Sequence, residues 1–258
     1  MSRVGRVRSA STAAARSFLR RRVAVFFTFF FPAILVGIFG ALVQTDAAGA
    51  GLFTKPASYY VPGYVAVVVL FTPLSRVGSE VARHREHNRF EKLATTPLRR
   101  WEWLLAQTLV NVGIIGVATV LVLALTTALT GATITLSPLL LVYVPVGVAC
   151  FCGVGALLGA FADSQDGAVT ASNAIGLPLL FLSETFVQPA LLPEWFHPIV
   201  ALSPLTYFSQ GLRQAIAPAS TDAGTVVLDL GPLAALGVLA VAALGFLAAG
   251  ALAIPRTD

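Results

Sequence analysis

Residues 23–43 run for 21 positions without a charged side chain, and apolar stretches of similar length recur at 59–77, 104–129, 139–161, 167–187 and 231–254. About 20 apolar residues in a helix are needed to cross a hydrocarbon core of about 30 Å. Within that core the backbone must satisfy its own hydrogen bonds, which leaves helices or closed barrels as the options. The whole sequence agrees, with 57% apolar residues, 11% charged residues and a mean hydropathy of +0.83. Soluble domains average about 25% charged residues. The expected fold is an all-α membrane protein with six transmembrane helices. Residues 1–22 form a cytoplasmic basic tail or interfacial helix, and residues 23–258 form the six-span domain. Pro73, Pro145 and Pro178 fall inside spans and are expected to bend them.

Orientation follows from charge. Residues 1–22 hold seven Arg and no acid, and the stretch from Arg76 to Trp103 holds seven Lys and Arg with four Glu. With six crossings these two blocks fall on the same side as Arg256, and only Lys55 and Arg213 fall opposite. The positive-inside rule then places both termini and the loop at 78–103 in the cytoplasm. The net charge of +5 is collected in these blocks, as membrane topology demands, and does not mark a nucleic-acid partner. The N-terminal block reads either as a basic helix with Phe18 and Leu19 dipping into lipid, or as a disordered tail. Ala48 to Ala50 resembles a signal cleavage site, but the preceding apolar run exceeds a signal core and further spans follow, which favours an uncleaved anchor.

Residues 188–217 break the pattern, because Pro189, Pro193, Pro198 and Pro204 interrupt an apolar stretch that also holds Glu194, Trp195 and His197. A single helix is excluded by prolines so spaced. Two readings stand: a broken re-entrant segment with Trp195 and Tyr207 at the interface, or a loop lying on the bundle. Gly155 and Gly159 form a small-xxx-small pair suited to close helix packing.

Chemistry-bearing motifs are few. A phosphate-binding loop needs a Gly-rich turn followed by Lys and Ser or Thr, and neither lysine, Lys55 or Lys92, follows glycines. Any ATP-driven step therefore needs a motor on another chain, and no cofactor is expected on this one. The loop reads as a helix over 79–94, a break at Ala94-Thr95-Thr96, and a second helix opening at Thr96-Pro97. On the first helix Glu80, His84, His87 and Glu91 share a face at spacings of 4, 3 and 4. Neighbouring Arg83, Arg85, Arg89 and Lys92 repel a cation, so this is a charged contact face rather than a metal site. Cys150 and Cys152 lie in an apolar run as small packing residues. Asp163 and Asp166 cap a short inner turn. Span interiors carry few ionisable residues, with Glu184 near the outer end of the fifth as a candidate outer gate or a helix-end residue reaching water. An intramembrane enzyme would need a buried Asp pair, a His-Glu metal motif or a Ser-His combination, and none is readable.

The stretch Arg85-Glu-His-Asn-Arg-Phe-Glu-Lys-Leu-Ala-Thr-Thr-Pro-Leu-Arg-Arg-Trp-Glu-Trp-Leu-Leu resembles the cytoplasmic signature of type-two ABC transporter permeases. These are the membrane subunits of ATP-driven exporters, including daunorubicin-resistance-type drug exporters. Leu177-Pro-Leu-Leu-Phe-Leu-Ser-Glu-Thr-Phe, Leu192-Pro-Glu-Trp-Phe, Ser203-Pro-Leu-Thr-Tyr and Gly211-Leu-Arg213 are similar to the family in the same order, although many members have Gly where this chain has Glu184. The resemblance implies an N-terminal interfacial helix, six spans, a coupling helix in the 78–103 loop and short re-entrant helices before the last span. It also implies two permease protomers, as a homo- or heterodimer, on two cytoplasmic ABC ATPases that hold ATP and Mg. On that reading Glu86, Arg89, Glu91, Leu93, Thr95 and Pro97 couple to the ATPase. The cargo is a lipid or amphipathic drug carried outward across a bacterial plasma membrane. A polysaccharide-export permease of the same family, or a membrane scaffold or assembly factor without transport, are the alternatives.

Overall fold

The longest buried apolar stretch folds as α3 (Ala57–Glu86), with residues 59–70 buried around the full circumference of the helix. A helix apolar on every side is stable only when enclosed, and the other elements enclose it. The computed structural model describes residues 2–38, 57–131, 137–183, 185, 193–216 and 230–255. Ahead of α3 lie α1 (Arg3–Arg20) and α2 (Arg22–Val36). After it come α4 (Arg89–Ala94), α5 (Arg100–Thr130), α6 (Leu140–Phe161) and α7 (Gln165–Leu182). A 3-10 turn at Glu194–Phe196 leads into α8 (His197–Leu202), α9 (Pro204–Ile216) and α10 (Pro232–Ala253). Around α3 pack α5, α6, α7 and α9, and α10 packs outside α6 and α9.

Among the described residues, four helices are long and apolar enough to cross a membrane: α3 from Tyr59, α5, α6 and α10. The expected first span is represented by α2, which is apolar but has 15 residues. The expected fifth is α7, whose first half carries Gln165, Asp166, Thr170, Ser172 and Asn173. The helices run on through Pro32, Pro62, Pro73, Pro145 and Pro178. Residues 193–216 break at Ser203, and neither α8, with six residues, nor α9, with 13, has the length of a span. The segment is no loose surface loop, because α9 buries Leu205, Phe208, Leu212 and Ile216 against α3, α6 and α10. Thr206 Oγ1 and Tyr207 OH donate to Val200 O and Ala201 O, both at 2.7 Å, folding α9 back on α8.

Backbone contact at glycine sets the α3–α6 spacing. A Cβ built on Gly155 would lie 2.6 Å from the Leu74 carbonyl oxygen, and one on Gly159 would strike the Gly78 carbonyl. The Gly155–Gly159 pair read from the sequence is therefore the seam between these helices. On another side of α6, a Cβ on Gly153 would meet the backbone of Phe246 and Leu247 in α10. Tyr143 of α6 fills the space over Gly211 of α9, and its hydroxyl donates to the Pro232 carbonyl. Cys150 and Cys152 are both buried and unbridged, as their packing role requires.

Gly159→Val forces a branched side chain into the Gly78 backbone, and such overpacking costs about 1–3 kcal/mol or more. The purified protein in detergent should lose several degrees of thermal midpoint. Gly116→Val, on a surface of α5 with open space around the Cβ, should leave the midpoint nearly unchanged.

Candidate functional site

The charged segment organises one end of the bundle, although not as a single helix over 79–94. α3 stops at Glu86, and Asn88 takes a left-handed backbone at φ 49° before α4 begins. Asn tolerates that conformation better than most residues. The turn swings Phe90 inward, where its ring lies 5.2 Å from that of His84 and 5.5 Å from that of Trp103. It also separates Glu91 from Glu80, His84 and His87, so those four side chains do not form one face. His84 Nδ1 lies 2.8 Å from the Glu80 carbonyl and His87 Nδ1 lies 3.0 Å from the Arg83 carbonyl.

The expected break after Ala94 is present, but the next helix opens at Arg100 rather than at Thr96-Pro97. The Thr96 hydroxyl donates back to Leu93 O at 2.7 Å and closes α4 instead of capping a new helix. Glu102 does the capping for α5: its carboxylate accepts from Arg99 N–H at 3.0 Å. The same carboxylate is buried and takes a bidentate pair from Arg6, with Nε at 2.9 Å and Nη2 at 2.5 Å. One side chain therefore holds the start of α5 and the body of α1 together.

The N-terminal block is a helix, and it sits on protein. Phe18 is 4% exposed and lies under the Arg76 guanidinium, 5.1 Å from ring centroid to Cζ, whereas Leu19 is exposed. Arg76 belongs to α3, so the residue counted from the sequence with the cytoplasmic charge block sits on a span. It donates to Asn111 Oδ1 at 2.9 Å and to Ala14 O at 3.3 Å, tying α3 to α5 and α1. Arg21 reaches Glu80 at 3.4 Å, and Glu80 also pairs with Arg83.

Three of the remaining charges, Arg85, Glu86 and Arg100, brace helix ends. Arg85 Nη1 donates to Ala160 O at 2.6 Å and Ala162 O at 3.0 Å, satisfying the carbonyl end of α6. Arg100 Nη1 does the same at the end of α10, donating to Leu252 O at 3.1 Å and to the carbonyl of Ile254 just beyond it. Both follow the preference for cations at helix C-termini. Glu86 accepts from Gln165 N–H at 2.7 Å at the opening of α7, where Ser164 rather than Asp163 or Asp166 supplies the side-chain cap to Gly167 N–H. An anion at a helix N-terminus is the matching preference.

Of the six loop residues singled out by sequence, Glu86 thus lies at the α3–α7 junction. Arg89, Glu91, Thr95 and Pro97 are exposed together on α4 and the connector that follows, beside Lys92. No ion pair engages Arg89, Glu91 or Lys92 among the described residues. Leu93 is half-buried and lines an open groove of about 1090 Å³ with Phe90, Leu98, Trp103 and the end of α10. Glu184 lies outside the described residues. Sequence reading missed Arg6, Arg76 and Glu102 as structural anchors. The spacing of Glu102 three residues after Arg99 carried a capping signal, whereas nothing local marks Arg6 or Arg76.

The sequence model described as ABC-2 type transporter matches residues 7–217, from within α1 to just beyond α9. No curated protein matches the chain significantly.

Removing one partner of a buried ion pair leaves the other charge unsatisfied, whereas neutralising both is milder. Arg6→Gln should therefore expose α1, seen as faster amide hydrogen exchange over residues 3–20. Arg6→Gln with Glu102→Gln should exchange more slowly than Arg6→Gln alone. Equal exchange in wild type and Arg6→Gln would show that the pair does not hold α1.

Proposed function

The chain belongs to the ABC-2 type transporter family as a membrane-spanning permease subunit, and from that premise we propose that it exports a lipid or amphipathic drug-like substrate. A separate cytoplasmic ABC ATPase holds ATP and Mg and supplies the energy. A second permease protomer completes the path. The topology proposed has six crossings in a bacterial plasma membrane, with α2 and α7 joining the four long apolar helices. Residues 188–217 are re-entrant, and Glu184 stands at the outer gate.

One observation carries the coupling role. Exposed α4 is the short link between α3, the enclosed centre of the bundle, and α5, the longest apolar helix. Its inward side is fixed by Phe90 against His84 and Trp103, while Arg89, Glu91, Lys92, Thr95 and Pro97 face outward. A load applied by an ATPase to the outer side would therefore reach both helices through packed rings. Charges on such a surface give partner choice and association rate. Arg89 and Glu91 supply the charged contacts, Pro97 restricts the turn, and Glu86 holds the adjacent α7.

Glu91→Arg should lower co-purification of the ATPase by about tenfold and abolish transport, the scale of a lost interfacial charge contact. Expression and membrane insertion should be unchanged, since Glu91 is exposed and makes no ion pair among the described residues. Leu93→Asp should also uncouple, but its half-buried site makes Glu91→Arg the cleaner test. Normal ATPase association and transport in Glu91→Arg would remove the coupling role from α4.

Orientation is tested by single introduced cysteines at Ser2, Asn88 and Thr257. All three should resist an impermeant thiol reagent in intact cells and react after permeabilisation. Labelling at Asn88 from outside would overturn the topology.

A further inference from the structure

Between α1–α2 and the neighbouring α3, α5 and α7 lies a cleft of about 350 Å³, within the range of about 300–1,000 Å³ usual for small-molecule sites. Its lining is graded. Arg21, Arg76 and Glu80 lie at the charged end of the bundle, and Phe27, Phe31 and Phe71 lie deeper along the helices. Phe71 and Glu80 are nine residues apart on α3, about 13 Å at a rise of 1.5 Å per residue. That is close to half of a hydrocarbon core of about 30 Å. Phe27 and Phe31 are largely exposed, so the apolar end opens to the surroundings of the bundle.

The charge at the polar end is incompletely matched. The hydrogen bonds of Arg76 go to the neutral oxygens of Asn111 and Ala14, and no carboxylate lies within ion-pair distance of it among the described residues. Glu80 is the carboxylate in the lining, and Arg83 pairs with it independently of Arg21. Arg76 lies on a membrane-length helix and hydrogen-bonds neutral groups. It feels Glu80 only as a nearby charge that Arg21 and Arg83 already engage, which leaves its guanidinium room for an anion. We infer that this cleft binds an acyl-chain amphiphile with an anionic headgroup from the cytoplasmic leaflet. The headgroup sits at Arg76 and Arg21, and the chain leaves past Phe27, Phe31 and Phe71. The side of the membrane rests on the topology proposed above, whereas binding itself does not depend on an ATPase.

The test is native mass spectrometry of the purified full-length permease, without ATPase, from equal mixtures of phosphatidylglycerol and phosphatidylcholine. Wild type should retain phosphatidylglycerol preferentially. Arg76→Gln should cut that preference about tenfold, the scale of a charged hydrogen bond. Because Arg76 also holds α1, a second variant leaves the charges intact: Thr28→Trp fills the cleft, and should reduce retained phosphatidylglycerol to a similar extent. Glycerol phosphate, which has the headgroup but no chain, should fail to displace the lipid. Equal retention of the two lipids by wild type, an unchanged preference in both variants, or displacement by glycerol phosphate would each overturn the assignment. Retained lipid selectivity combined with normal ATPase association in Glu91→Arg would sink the coupling role while leaving this site standing.

Discussion

Enclosure of α3 is the constraint on which the rest of the bundle depends. With residues 59–70 buried on every side, this half of the helix has no face left for lipid or water, so at least three neighbours must approach it closely. In a membrane, helix association draws on packing rather than on exclusion of water, and small residues at the seam permit the closest approach. Gly155 and Gly159 of α6 meet that requirement where Leu74 and Gly78 present backbone. Once α6 is fixed, Gly153 fixes α10 against its other side, and Tyr143 fixes α9 over Gly211. The order of dependence runs outward from one helix.

The charged segment then has two distinct jobs, divided by position. Residues flanking α4 on the chain, namely Glu80, Arg85, Glu86, Arg100 and Glu102, satisfy helix ends or partner charges within the bundle or at its surface. The charged residues on α4 itself, Arg89, Glu91 and Lys92, are exposed and engage no opposite charge among the described residues. The sequence shows one undivided run of charge. What divides it is the left-handed turn at Asn88, which reorients the side chains that follow.

This explains what could be read in advance. Apolar run length and the position of the charged loop depend on composition over many residues, so the all-helical membrane bundle was legible. The Gly155–Gly159 seam was legible because both glycines sit on one helix at a spacing that defines a face. The Arg6–Glu102 pair was not, since 96 residues separate its members and nothing local to either points to the other. The opening of α5 was misplaced because Thr96-Pro97 offers a cap in isolation. In the fold, the Thr96 hydroxyl bonds back to α4 and Glu102 caps from within the helix. On the helical one of the two readings of residues 1–22, Phe18 dipped into lipid, but hydropathy alone does not distinguish lipid from the face of Arg76.

The cleft and the clasp on α1 share a residue, and that links them thermodynamically. Arg76 donates to Ala14 O, stacks over Phe18 and also lines the cleft. An anion bound at Arg76 competes with the contacts to Ala14 for the same guanidinium, so occupancy changes how firmly α1 is held. By reciprocity, anything that shifts α1 changes affinity in the cleft by the same factor. Arg6–Glu102 joins α1 to the first turn of α5, and α5 opens directly after the connector that leaves α4. A displacement of α4 is thus separated from the cleft by one connector, one ion pair and one helix, each with named contacts. This path needs no rearrangement of α3, whose enclosed half resists one, because it runs through α1, which is held by polar ties at Arg6 and Arg76 and by the packing of Ala14 and Phe18.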